Sequence, residues 1–497
     1  MAHDTDKLIV SNRSVLLKKY GEVGLDLIES AVKQLIAADK KRGIASRLVY
    51  LDDKEVRNFR GTPVRKAVNV RENKKAIDAL YRWFEPDYVM LLGSQDVIPH
   101  VKVSNLTQDE DGLIIDSDLP YACDTRFSRN PRHFLAPTRV LGRLPDINGG
   151  KDPAYLIRLL QVAATTRKQP RDGFATWFAL SAKDWTGSSA ITAATLFNGV
   201  DELDLSPPAG PGKLKPLHQA RVHFFNCHGG SGESTFWGQL GKSQPKSFHR
   251  SDVPAKLLPG TFIAAECCYG AEQYAPNRRQ PSISATYLYN GAAAYVGSTT
   301  IAYGPETGQD GADLIAQYFV GFVLRGHSVG RAFLQAQQKF IVAAAPRIDS
   351  IELKTLTQFL LLGDPSLVLV ERVHKSLAVE NGKIVLESKS AGKAFRKIRR
   401  KQLKESGDLG AKAVEAPRSA GRQINSQRHR KFSKLARANG MKKFTAAAFR
   451  FQARKDDREN HYVYVEKKSS KNTRHRPRVM IFKEIGHRVD VRVYEQK

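Results

Sequence analysis

Short apolar runs recur through the first 373 residues, at 8–10, 47–51, 88–92, 138–141, 176–180, 221–225, 261–265, 293–296 and 367–370. Between several of them lie longer helical patterns. Residues 24–38 set Leu25, Leu27, Ile28, Ala31, Leu35 and Ile36 near one face, and 312–324 and 329–345 also carry an apolar face. Strands that alternate with helices pack as a mainly parallel sheet covered on both sides. The expected fold class is therefore α/β: a doubly wound, mainly parallel sheet with helices on both faces. In such sheets ligands bind beyond the carboxyl ends of the strands. The residues that terminate strands are the first place to look for chemistry.

The chain has 497 residues, enough for about three folding units. With 41% hydrophobic and 26% charged residues it is globular in composition, which excludes wholesale disorder and fibrous classes. No apolar run of about 20 residues is present, so no transmembrane helix is expected. Residues 1–7 lack a basic-then-apolar leader, and four Cys make no disulfide framework, so the cytoplasm is the expected compartment. The net charge of +29 is unevenly placed. Residues 374–497 hold 34 Lys and Arg against 12 Asp and Glu, a net of +22. Within this basic appendage, 374–440 reads as a helical or disordered linker. Residues 441–497 read as a small basic β-rich module, because 461–465, 478–482 and 489–494 carry β-branched and aromatic residues. A nucleic-acid or other acidic partner for 391–497 is one expectation, phosphate-driven and salt-dependent.

Two strand ends carry a nucleophile and a base. The run 221–225 ends in Asn226-Cys227-His228-Gly229-Gly230, and the run 261–265 ends in Glu266-Cys267-Cys268-Tyr269-Gly270. Neighbouring strands would bring His228 and Cys268 together although they are 40 positions apart. Imidazole can turn a thiol into a thiolate and protonate a leaving amine. Exposed N–H groups at a strand-to-loop junction can serve as an oxyanion hole. The plainer alternatives are a loop histidine and a buried cysteine pair. A zinc cluster of His223, Cys227, His228, Cys267 and Cys268 is disfavoured, since adjacent Cys on a strand face opposite ways and no C-x-x-C spacing occurs.

The order apolar strand–His–Gly, then apolar strand–acid–x–Cys, resembles the caspase-like cysteine peptidases, and the gingipain family among them. Phe225-Asn226-Cys227-His228-Gly229 with Phe236-Trp237-Gly238 resembles that family's His-Gly segment, and 262–268 its Cys strand. Val296-Gly297-Ser298-Thr299 and Leu362-Gly363-Asp364-Pro365-Ser366-Leu367 are similar to two further motifs. Residues 91–99, Ser117-Asp118 with Tyr121, and 140–145 fit the leading subdomain, so the likeness spans about 85–370. It implies a caspase-like fold with an N-terminal α/β subdomain at 1–170 and a catalytic domain at 171–373. It also implies Cys268 as nucleophile, His228 as the histidine, the N–H groups of Gly229 and Cys268 as oxyanion donors, and a backbone carbonyl to orient His228. No metal or other cofactor is expected, and no Ca²⁺ loop of the Asp-x-Asp-x-Asp-Gly type is visible.

The resemblance further implies a protein or peptide substrate. Relatives line the first specificity pocket with the residue two before the nucleophile, here Glu266. With Asp184, the lone acid of the 181–189 loop, it would favour cleavage after Arg or Lys. Glu266 can equally pair with a neighbouring cation. Tyr303 would form the aromatic wall of the pocket or else sit in the core, and Trp237 would border the cleft. The basic tail is itself a possible substrate.

Overall fold

Val, Leu, Ile, Phe and Ala fill the central strands. Every residue of Lys7–Ser11, Val222–Asn226, Phe262–Ala265, Ala294–Ser298 and Phe359–Gly363 is buried. Burial on alternate sides of a pleated strand means that both sheet faces are covered. The computed structural model describes residues 5–274, 280–305, 308–345, 348–371, 426–439, 441, 444–454, 457–466, 478–485 and 488–496. Ten strands form one sheet. Their order is Ser46–Tyr50, Lys7–Ser11, Tyr88–Leu92, Val140–Leu144, Phe359–Gly363, Ala294–Ser298, Phe262–Ala265, Val222–Asn226, Trp177–Ala182 and Leu203–Ser206. All pairings are parallel except that of Ala294–Ser298 with Phe359–Gly363. The sheet is thus two parallel halves running in opposite directions, and the expected α/β class is borne out.

Two sets of mutually packed helices cover it. Arg13–Lys41, Ala154–Thr165 and Ile283–Tyr289 make one set, and Thr186–Phe197, Ala312–Leu324 and Val329–Ala344 the other. Their ends follow side-chain chemistry. Asp349 caps Ser350–Gln358 by accepting from Glu352 N, while Glu352 accepts from Asp349 N. A left-handed Gly21 at φ 68° kinks the first helix. On that helix Leu25, Ile28, Ala31 and Leu35 face the core as expected, but Leu27 is 51% exposed.

The expected strand at 367–370 is not one. That stretch makes only single bridges, Gln169 with Val370 and Ser328 with Val368. The strand is Phe359–Gly363, an unbroken apolar run that follows a helix directly and so shows no period of its own. Asp364 ends it, accepting from Ser366 N at 2.9 Å and from Lys7 Nζ at 2.6 Å. Sheet and main core run continuously across position 170.

Residues 372–425, most of the expected linker, lie outside the described residues, and helix Ser426–Ala438 follows. Four antiparallel strands then form a meander: Phe444–Arg454, Asp457–Glu466, Arg478–Ile485 and Arg488–Gln496. The two-residue period sorts its faces. Tyr462, Tyr464, Met480 and Phe482 pack under Phe432 in a small second core. Val463, Val465, Val479 and Ile481 point the other way and join the main core. At about 1.5–3 kcal/mol per fully buried apolar side chain, this is firm docking rather than a loose appendage. The final strand also pairs antiparallel with Tyr303–Pro305, setting Tyr303 opposite Gln496 and Pro305 opposite Tyr494.

Candidate active site

The histidine and cysteine strands are hydrogen-bonded neighbours, with Ala265 opposite Phe225 and Glu266 N donating to Phe225 O at 2.9 Å. Both chains leave the sheet at the same edge. Residues 227–229 and 266–268 therefore emerge side by side. Gly229 presses so closely on the Cys268 peptide that a Cβ there would lie 1.9 Å from Cys268 O. Only glycine permits that approach.

His228 is held on three sides. Its N–H donates to Trp237 O at 2.8 Å, and Trp237 N donates to His228 O at 2.9 Å. Its ring packs on Trp185, centroids 4.5 Å apart. Its Nε2 lies 2.7 Å from Gln239 Oε1. Gln239 Nε2 donates to Gly241 O at 2.9 Å, which fixes the amide's orientation. His228 Nε2 must then carry the proton, and in the neutral ring the lone pair sits on Nδ1. The resemblance implied a backbone carbonyl as the orienting partner; here an amide side chain contacts Nε2. Asp184 braces the same turn. Its carboxylate accepts from Gly241 N at 3.0 and 3.1 Å, and its N–H donates to Gln239 O at 3.2 Å. Its side chain is exposed and lies on the histidine side of the site. Trp237 Nε1 donates to Glu233 Oε2 at 2.8 Å.

Cys268 is 0% exposed. Its Sγ donates to Ala302 O at 3.5 Å. The thiol is pushed up to about 12, first by burial; Ala302 opposes the shift, Asp111 and Asp109 add to it, and Lys354 opposes it. These charges form a cluster under the thiol. Lys354 Nζ pairs with both Asp109 and Asp111. Tyr303 OH donates to Asp109 Oδ2 at 2.8 Å, Tyr269 OH to Asp111 Oδ1 at 2.5 Å, and Ile301 N to Asp111 Oδ2 at 2.9 Å. Tyr303 is buried beside the thiol with its hydroxyl engaged. Tyr269, next after Cys268, has φ 55°, a left-handed geometry that a bulky residue adopts only when its surroundings impose it.

Glu266 and Cys267 are buried, and Glu266 helps to raise both Cys227 and Cys267 after burial itself. His223 is a core residue. Its Nδ1 lies 2.9 Å from Tyr287 OH and its Nε2 3.1 Å from Leu217 O and Ala220 O; burial lowers it to about 4. Among the described residues no group of three His, Cys, Asp or Glu is placed to hold a metal ion. In the leading half, Asp118 binds Arg143 and His100, at 2.6 and 2.8 Å, inside the core.

Residues 217–370 match the model of peptidase family C25. His228, Gln239, Cys268, Tyr303 and Lys354 all fall inside the match, and the resemblance to the gingipain-like cysteine peptidases is borne out. A C25 peptidase takes protein or peptide substrates. A solved structure described as "Structure of Protease" aligns over 99% of this chain and 97% of its own, at 12% identity and a TM-score of 0.49. No curated protein matches. The family match gives no support to a nucleic-acid partner for the basic segment 391–497, of which 391–425 lie outside the described residues. No described helix is long and apolar enough to cross a membrane.

Proposed function

We propose that this chain is a cysteine endopeptidase in which Cys268 attacks the peptide carbonyl and His228 moves the protons. The observation that carries the reading is the meeting of the two strand ends, Gly229 against the Cys268 carbonyl, with an imidazole held on an amide. The Sγ proton passes to His228 Nδ1, and the thiolate adds to the carbonyl carbon. The N–H groups of Gly229 and Cys268 stabilise the resulting oxyanion. Collapse of the adduct breaks the C–N bond, and the imidazolium gives its proton to the leaving amine. Water, deprotonated by the same imidazole, then hydrolyses the thioester and frees the thiol.

Cleavage follows a basic residue, drawn to the Glu266 carboxylate buried at the strand end two positions before the nucleophile. Asp184 acts instead through Gly241, bracing the turn that carries Gln239. An activity-based probe carrying Arg or Lys should label Cys268, mapped by mass spectrometry. A peptide library cut after Asp or apolar residues would overturn the basic preference, and a probe adduct on any other residue would overturn the nucleophile.

Gln239 is a positioning residue, and its loss has a specific signature. Gln239→Leu should lower kcat about 10–100-fold with KM nearly unchanged, because the imidazole loses its fixed tautomer. Gln239→Glu, which keeps an acceptor, should restore most of the rate. Equal loss in both variants would point to a folding role alone.

A further inference from the structure

The thiol in the active site is sealed. Ala302 O caps Cys268 Sγ, and the next three residues, Tyr303–Pro305, are the edge on which the last strand of the chain is laid. The same strand has a second anchor. Tyr494 OH donates to Asp349 Oδ2 at 2.6 Å, and Arg492 meets Glu352 at 2.5 Å and Asp310 at 3.5 Å. Lys483, on the adjoining strand, lies 3.2 Å from Asp349. Asp349 and Glu352 cap the helix Ser350–Gln358, and that helix carries Lys354, the cation between Asp109 and Asp111 beside the thiol. One strand therefore grips both the segment that caps Cys268 and the helix that supplies the charge beneath it.

We infer that Arg488–Gln496 is an internal latch, which holds the 301–305 segment closed over Cys268 until the C-terminal module is drawn away. The inference rests on the peptidase reading for its nucleophile and adds the regulation of that site. Backbone pairing supplies the grip on Tyr303–Pro305, and cations meeting three acids supply the register. The near end of the segment is tied separately, through Ile301 N to Asp111. Opening needs the far end to lift and Tyr303 OH to leave Asp109. The released edge of Tyr303–Pro305 can then accept another extended chain in place of residues 494–496.

The test is the alkylation rate of each cysteine in the full-length protein, followed at pH 8 with iodoacetamide and read by mass spectrometry. Cys123, Cys227 and Cys267 are buried thiols in the same fold and serve as internal references. Arg492→Glu sets a fourth acid against Asp310, Asp349 and Glu352. Glu495→Pro removes a strand N–H opposite Gly304 and leaves the acid anchor in place. Each variant should raise the Cys268 rate at least about tenfold relative to Cys227. A Cys268 rate that stays at the wild-type value in both variants overturns the latch. A parallel rise of all four thiols overturns it too, because the module would then be part of the common core. Peptide hydrolysis, measured alongside, separates the two readings. Selective labelling without hydrolysis upholds the latch and removes the peptidase, whereas wild-type hydrolysis that neither variant changes removes the latch.

Discussion

Cys268→Ala should abolish peptide hydrolysis, with kcat/KM falling by at least about 10⁴-fold, while Cys267→Ala retains most activity. The two thiols are adjacent and equally buried, so burial and composition do not distinguish them. What distinguishes them is direction. Cys268 lies at Ala302 O above the Asp109–Asp111–Lys354 cluster, whereas Cys267 sits against Cys227 and Tyr295. Full activity in Cys268→Ala would defeat the assignment. The same sulfur predicts an alkaline limit. Its folded value, about 12, is raised above an unfolded value of about 8.5. The neutral thiol's contribution to stability is therefore complete below about 8.5 and is lost as pH rises towards 12. Denaturant midpoints measured from pH 7 to 11 should fall for the wild type and fall less steeply for Cys268→Ala.

Gly229→Ala should be the most damaging single methyl group in the molecule's active half. The added carbon would sit 1.9 Å from Cys268 O, and that neighbour is backbone, which cannot rotate aside. The two strand ends must part. The cost in stability should be about 1–3 kcal/mol, as for an overpacked core. Catalysis should suffer more under the proposed mechanism, which needs the N–H groups of Gly229 and Cys268 to converge on one oxygen; a fall of about 10²–10³ in kcat is expected. Thermal melting and steady-state kinetics on one preparation check both numbers. A variant with wild-type kinetics would show that this close approach is irrelevant to turnover.

The parts of this site that the sequence makes legible are those whose chemistry and location coincide. Apolar strands announce themselves, and Cys and His at their ends are few. Gln239 carries no such mark. A glutamine 11 residues after a histidine is ordinary until the turn at Gly241 brings its amide to the ring. Asp109 and Asp111 look like a polar turn in the leading half, and Lys354 like a solvated helix residue. They meet because the helix Ser350–Gln358 is buried along its whole length, more than 240 positions further on. Asp184 is readable as an acid near the site but not as a brace, since its partner is a backbone N–H. Phe359–Gly363 is hidden for another reason: four apolar residues in a row fit a buried strand and a buried helix end equally well. The docking of the last strand has no local signal. Val489, Val491 and Val493 fall on one face and Asp490, Arg492 and Tyr494 on the other, and that pattern does not specify what the second face meets.

The position of Phe359–Gly363 in the sheet has a consequence for the order of assembly. Among the last residues of the 217–370 match to emerge from the ribosome, it lies between Val140–Leu144 and Ala294–Ser298 and, among the described strands, is the seam joining the two halves. Its companion helix delivers Lys354 to the thiol at the same moment. A nascent chain that ends before Lys354 thus lacks both the seam and the buried cation. Translation itself postpones the joining of the two halves, and the burial of charge beneath the Cys268 thiol, until nearly all of the matched region has been made.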